Sequence, residues 1–224
     1  MARTEQAERT GRQTGGRYVL RRMRPADIAQ VMDIERESFP SMWPQTAYAS
    51  ELKNPLARYF VLVEDGEDGS SGLPAEGALH RLARRLLRRE REEPPTRRLI
   101  VGLVGVWLMV DQAHVVTIAV REAFRRQGAG ALLLLAAMET ALAEKMDATT
   151  LEYRKANEPA RALYEKFGFL NVGERPRYYS DTNEDAVIMT TPPLSSKSYR
   201  EKYERLKREL EGRWRDVFVL PEEF

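Results

Sequence analysis

The stretch VVTIAVREAFRRQGAGALLLLAAMETALAEK, residues 115–145, constrains the fold more than any other. It opens on β-branched and small apolar residues, which suit a buried strand. It closes on an unbroken run of strong helix formers. Between them stand Arg125, Arg126, Gln127, Gly128, Ala129 and Gly130. A strand that turns through glycines into a helix points to a layered α/β protein. The turn is also a candidate anion cradle. The first N–H groups of a helix have no partner inside it and lie at the positive end of its dipole, and glycine lets backbone approach a ligand closely. Two familiar phosphate loops are excluded. A Walker loop needs Lys-Ser or Lys-Thr after its glycines, and a dinucleotide fingerprint needs a third glycine where Leu133 stands. What remains is R-x-x-G-x-G between a strand and a helix.

Residues 1–16 are polar and read as a disordered tail. YVLRRM reads as a strand, RPADIAQVMDIERESF as a helix opened by Pro25 and Asp27, and the turn-rich segment after it as holding a second short helix. YFVLVED, the apolar run LIVGLVGVWLMV and AHVVTIAV read as three more strands, the last two joined by a turn at Asp111-Gln112. After the helix that follows Gly130 come TTLEYR as a strand and NEPARALYEKFGF as a helix. Asn157 is placed to cap that helix, Pro159 suits its first turn and Gly168 its end. NVGERPRYY and EDAVIMT complete a mixed sheet of about seven strands flanked by helices. Beyond Pro192-Pro193, a tail helix over residues 198–214 carries Tyr199, Tyr203, Leu206, Leu210 and Trp214 on one stripe.

TIAVREAFRRQGAGALL, LEYRKANEPARALYEKFGF and RYYSDTNEDAVIM, with IERESFPSMWPQTAYASEL before them, together resemble the GNAT N-acetyltransferase superfamily. Within it they resemble the ribosomal-protein-alanine N-acetyltransferases. The resemblance covers residues 18–191, with residues 66–98 as an insertion. It implies a GNAT domain over residues 17–191, an inserted basic helix and a helical extension over residues 192–224. It also implies acetyl-CoA as co-substrate, no metal, and the N-terminal amine of a protein as acceptor, specifically the N-terminal alanine of a small-subunit ribosomal protein. Acceptors of other kinds, other protein N-termini or small amines, stay open, as does a non-catalytic acetyl-CoA-binding module.

The resemblance also assigns residues. Ile118, Ala119 and Val120 would hold the pantetheine arm along a strand edge, and Arg125, Arg126, Gln127, Gly128, Ala129, Gly130 and Ala131 the pyrophosphate. Asn157, an N-cap by position, falls on a coenzyme A contact. Glu152 alternates with Leu151 and Tyr153; a strand-face glutamate by itself reads as solvent-exposed, and the resemblance makes it the general base. Tyr164 reads either as helix packing or, by resemblance, as the acid that protonates the leaving thiolate and contacts the cofactor. Phe39, Trp43, Tyr178 and Tyr179 read as core aromatics or, by resemblance, as the acceptor groove. Near Trp43, Met42 and Pro44 depart from the F-P-x-P-W-S pattern of the family. His114 reads as an ordinary strand residue.

Composition narrows the chemistry further. The 224 residues hold no cysteine and only two histidines, His80 and His114. A thiolate nucleophile, a disulfide and a histidine metal motif are therefore excluded. The net charge of +2 gives no whole-protein case for nucleic acid. The longest apolar run falls short of the ~20 residues of a membrane span, and the polar N-terminus lacks a signal-peptide core. The chain is expected to be soluble and cytoplasmic, with no membrane partner. Within the insertion, residues 79–91 set Leu79, Leu82, Ala83, Leu86 and Leu87 on one face and Arg81, Arg84, Arg85 and Arg88 on the other. That pattern reads as a solvated amphipathic helix or as a contact for an anionic partner such as ribosomal RNA or an acidic protein.

Overall fold

A computed structural model describes residues 17–39, 46–65, 98–213 and 217–219. The N-terminal tail, Trp43, the basic segment at residues 79–91 and Trp214 lie outside the described residues. Strand β1 (Arg17–Arg22) leads through a 3-10 turn at Pro25–Asp27 into helix α1 (Ile28–Ser38), and a short helix α2 (Tyr48–Glu51) precedes β2 (Ala57–Asp65). Asp27 stands at the N-cap position of α1, and its carboxylate accepts the Arg24 N–H at 2.7 Å rather than an N–H of α1. The same fully buried carboxylate takes both guanidinium nitrogens of Arg21 at 2.6 and 2.9 Å, which ties the turn to β1.

The remaining strands are β3 (Ile100–Leu108), β4 (Gln112–Val120), β5 (Ala148–Arg154), β6 (Leu170–Tyr179) and β7 (Glu184–Thr190). Helix α3 (Ala129–Ala143) connects β4 to β5 and α4 (Glu158–Phe167) connects β5 to β6. Helix α5 (Lys197–Arg213) and a three-residue strand β8 (Val217–Val219) follow. The seven expected strands and β8 form one mixed sheet in the order β6-β7-β5-β4-β3-β2-β1-β8. Only the β4–β5 and β1–β8 pairs are parallel. Strand β8 is an element that the sequence reading omits.

Both faces of the sheet are covered. Helices α1 and α2 pack one face over Val31, Ile34, Tyr48, Tyr59, Val61 and Leu103. On the other face α3 is apolar all round, with eleven of its fifteen residues buried, as befits a helix enclosed by its neighbours. Helix α5 encloses it. Tyr199, Tyr203, Leu206 and Leu210 join the main core, so the expected stripe is real and the helix is part of the same packed unit. The Tyr203 hydroxyl donates to Glu139 of α3 at 2.6 Å, and the Tyr199 hydroxyl to the Phe167 carbonyl at 3.1 Å. Among the described residues, no helix is long and apolar enough to cross a membrane.

Candidate active site

Strands β4 and β5 begin side by side and then separate. They pair from Gln112↔Ala148 to Val115↔Leu151 and no further. The cause is visible on the other edge of β4. Gly105 pairs with Thr117 and Val106 with Val115, so Val116 is an extra residue. Such a bulge bends its strand and sharpens the twist, and here it falls where β5 is lost. Arg121 N–H donates to the Val101 carbonyl at 2.9 Å. By the alternation of an antiparallel pair, the peptide groups of Ala119 and Thr117 then face β3, and those of Ile118 and Val120 face the gap. The Val120 carbonyl accepts Arg125 Nε at 3.0 Å.

Two helix N-termini border the gap. Helix α3 starts at Gly128, whose φ of 96° is left-handed. Arg126, two residues earlier, also has a positive φ, 62°. Alternating hands of this kind turn successive N–H groups inward to form an anion nest. Gly128 is required there by its backbone angle. Gly130 is not: it lies inside the first helical turn, and an added Cβ would meet only Leu163, at 3.4 Å. Arg125 spends its guanidinium on Val120 and, at 3.4 Å, on Ser38 Oγ, which ties the cradle to β4 and α1. Helix α4 starts at Asn157, whose side chain accepts the Ala160 N–H at 3.1 Å; the expected cap is formed. These features, a glycine nest, two peptide edges and two helix starts, fit a diphosphate with a peptide-like arm.

The gap opens into a cavity of about 430 Å³ lined by Phe39, Ile118, Glu152, Asn157, Tyr164, Tyr178 and Tyr179 among others. Seven of the residues singled out in the sequence thus meet in one space. Glu152 lies one residue past the last β4–β5 pair, and its side chain is only 11% exposed. His114 Nε2 lies 3.1 Å from its Oε2, and an Arg175 nitrogen 3.1 Å from its Oε1. The hydrogen bond from His114 is the main cause that holds the carboxyl below its ordinary range; burial opposes it, and the charges of His114 and Arg175 add to it. Glu152 is therefore ionised at neutral pH. Its strand-face position, which alone suggested exposure, is a partly buried one.

Tyr164 is 4% exposed and packs edge-on against Tyr153 with ring centroids 5.6 Å apart. Burial raises its pKa, so the phenol keeps its proton. Strand β6 shifts register between Arg175 and Tyr179, where Arg177 has a positive φ and its N–H is held by Asp185. The shift carries Tyr178 and Tyr179 to the cavity. Arg154 lies over the Tyr179 ring at 4.1 Å and is itself fixed by Asp181 at 2.7 Å. Burial pushes the Tyr179 hydroxyl up to about 12, against the pull of Arg154.

Sequence reasoning missed His114 and Arg175. His114 reaches Glu152 because β4 and β5 lie side by side, and Arg175 because β6 flanks β7, whose Ile188 pairs with Glu152 on one edge and Gly173 on the other. No local pattern encodes either fact. Among the described residues, no group of three or more His, Asp or Glu side chains is placed to hold a metal ion.

A model of the acetyltransferase (GNAT) family matches residues 74–169. The chain is 32% identical over 171 residues to a putative ribosomal protein bS18-alanine N-acetyltransferase of Bacillus subtilis (strain 168), covering 76% of this chain and 92% of that protein. It is 34% identical over 181 residues to an N-alpha-acetyltransferase of Sulfurisphaera tokodaii, covering 80% and 95%. Among solved structures, the fold is similar to the ribosomal-protein-S18-alanine N-acetyltransferase of Escherichia coli, with a TM-score of 0.59 at 22% identity over 80% of this chain and 97% of that one. It is also similar to NAA60 of Arabidopsis thaliana solved with acetyl-CoA, with a TM-score of 0.58 at 15% identity over 77% and 97%.

Proposed function

Because the chain belongs to the GNAT family of acetyltransferases, we propose that it transfers acetyl from acetyl-CoA to the α-amine of a protein N-terminus, and that its acceptor is the N-terminal alanine of a small-subunit ribosomal protein. The observation that carries the reading is the parted β4–β5 pair, with an ionised glutamate at its vertex, a glycine nest beyond its mouth and a buried phenol on its wall. The relatives' names support the acceptor.

The nest at Arg126–Ala131, with the dipole of α3 behind it, would hold the pyrophosphate of the cofactor. The peptide edges of Ile118 and Val120 would hold its pantetheine arm, and the Val120 N–H would face the thioester oxygen as an oxyanion donor. Bound acetyl-CoA supplies an acyl group activated by a thiol leaving group. The acceptor must attack as a neutral amine. An α-amine, with pKa ~7.7–8.0, is partly neutral near pH 7, whereas a lysine at ~10.4 is not. Glu152 is a weak base, with one oxygen held by the His114 ring and the other by the Arg175 guanidinium. It suits an amine that needs no prior deprotonation, because attack itself makes the N–H acidic and Glu152 then receives the proton, directly or through water. Tyr164 keeps its proton until the thiolate departs and then donates it.

The test is a peptide panel scored by mass spectrometry: an alanine-initiated ribosomal N-terminus, the same peptide with other first residues, an N-blocked peptide with an internal lysine, and a polyamine. Acetylation is expected on the free α-amine, fastest with alanine first. Preferential acetylation of the lysine or the polyamine would overturn the acceptor class. Acetyl-CoA binding with no product from any acceptor would favour a binding module.

A further inference from the structure

His114 is held at both ring nitrogens by side chains of a single strand. Thr150 and Glu152 stand two apart on β5 and so share a face, and His114 is register-paired with Thr150. Thr150 Oγ1 lies 2.8 Å from Nδ1, and Glu152 Oε2 lies 3.1 Å from Nε2. An ionised carboxylate offers acceptors only, so Nε2 carries a hydrogen. In a neutral imidazole Nδ1 then has a lone pair and needs a donor. The Thr150 hydroxyl is that donor. Nothing in strand packing asks for the hydroxyl, since valine has nearly the same shape and an equal or higher strand preference.

We propose that Thr150 is a positioning residue for acetyl transfer: its hydroxyl fixes His114 as the Nε2–H tautomer, and His114 in turn fixes the carboxylate of Glu152. The proposal rests on the reading of Glu152 as the group that receives the acceptor's proton. The other polar groups facing this carboxylate come from β6: Arg175 on Oε1, and the Tyr179 hydroxyl, which the charge of Glu152 helps to keep protonated. At the far side of the ring, Nδ1 meets the Thr150 hydroxyl.

The chain has two histidines, so a His80→Gln background leaves His114 as the sole imidazole. Nitrogen-15 NMR of the full chain at pH 8 then reports which ring nitrogen bears the hydrogen. The Nε2–H form is expected in this parent. Thr150→Val should give a mixture of tautomers, and Thr150→Ser should restore the single form. In parallel, kcat on an alanine-initiated peptide should fall ~2–10-fold in Thr150→Val, the worth of one neutral hydrogen bond. It should recover in Thr150→Ser, with acetyl-CoA affinity unchanged throughout. An Nδ1–H parent, a Thr150→Val protein with an unaltered tautomer, or a tautomer shift without loss of kcat would each overturn the proposal. Glu152→Gln as active as the parent would instead sink the base assignment while leaving the tautomer result standing, so the two failures are distinguishable.

Discussion

The glycine cradle at residues 125–131 and the wall around Glu152 belong to the same strand gap but are made of different material. The cradle is one contiguous stretch that presents backbone N–H groups, with conformation set by Gly128 and Arg126. The wall takes Glu152 from β5, His114 from β4, Arg175, Tyr178 and Tyr179 from β6 and Phe39 from beyond α1, and it presents side chains. Backbone sites tolerate most changes of side chain and fail when φ is forbidden. Side-chain sites fail one atom at a time. Each half therefore predicts its own kind of damage.

The largest effect is expected on the side-chain half. Glu152→Gln keeps the shape and removes the proton acceptor, so the rate should fall ~10²–10⁴-fold, with acetyl-CoA affinity unaltered. The deficit should shrink as pH rises and the acceptor amine loses its proton unaided. A rate near the parent's at pH 7 would remove Glu152 from the mechanism.

On the backbone half, Gly128→Val forces a β-branched residue into a left-handed conformation at a cost of ~1–3 kcal/mol. Calorimetry should show acetyl-CoA binding weakened by ~10–100-fold. Gly130→Ala is the control, since its Cβ meets only Leu163, and it should bind nearly as the parent does. Equal weakening in both would mean that space, and not backbone conformation, governs the cradle.

Tyr164→Phe should cost less, ~10-fold in kcat, because a thiolate leaves tolerably well without an acid. Its stability should change little, because among the described residues the lost hydroxyl makes no hydrogen bond and the ring contacts with Tyr153 and Phe169 remain. Turnover unchanged under conditions where chemistry limits would assign Tyr164 to packing alone.

The smallest effect is expected at Arg175, whose side chain is 53% exposed. The Glu152 carboxyl is held below its ordinary range, so the ion pair stabilises the fold above the unfolded value of ~4.3 and is lost as pH falls through the lower folded value. Removing one cation in Arg175→Gln should move the Glu152 titration upward, measurable by carbon-13 NMR, while His114 keeps it below an ordinary glutamate. A carboxyl that titrates like an exposed one in this variant would make Arg175, and not the His114 hydrogen bond, the main cause.

The amino-acid sequence by itself determined what depends on neighbours along the chain. The alternation of apolar residues set seven strands, the run after Gly130 set α3, and Asn157 and Gly168 set the ends of α4, where the cap at 3.1 Å and the left-handed φ of 88° now stand. The loop at residues 125–131 was legible for the same reason, because its residues are consecutive and its backbone conformation is local. Tertiary structure alone decided the wall. The bulge at Val116 parts β4 from β5, the β5 register brings Thr150 and Glu152 to His114, and the pairing of β7 with both β5 and β6 delivers Arg175. Strand β8 was likewise invisible, since three residues carry too little periodicity to mark a strand until β1 offers an edge to pair with. Long-range pairing fixes which distant side chains touch, and no local spacing in the chain records it.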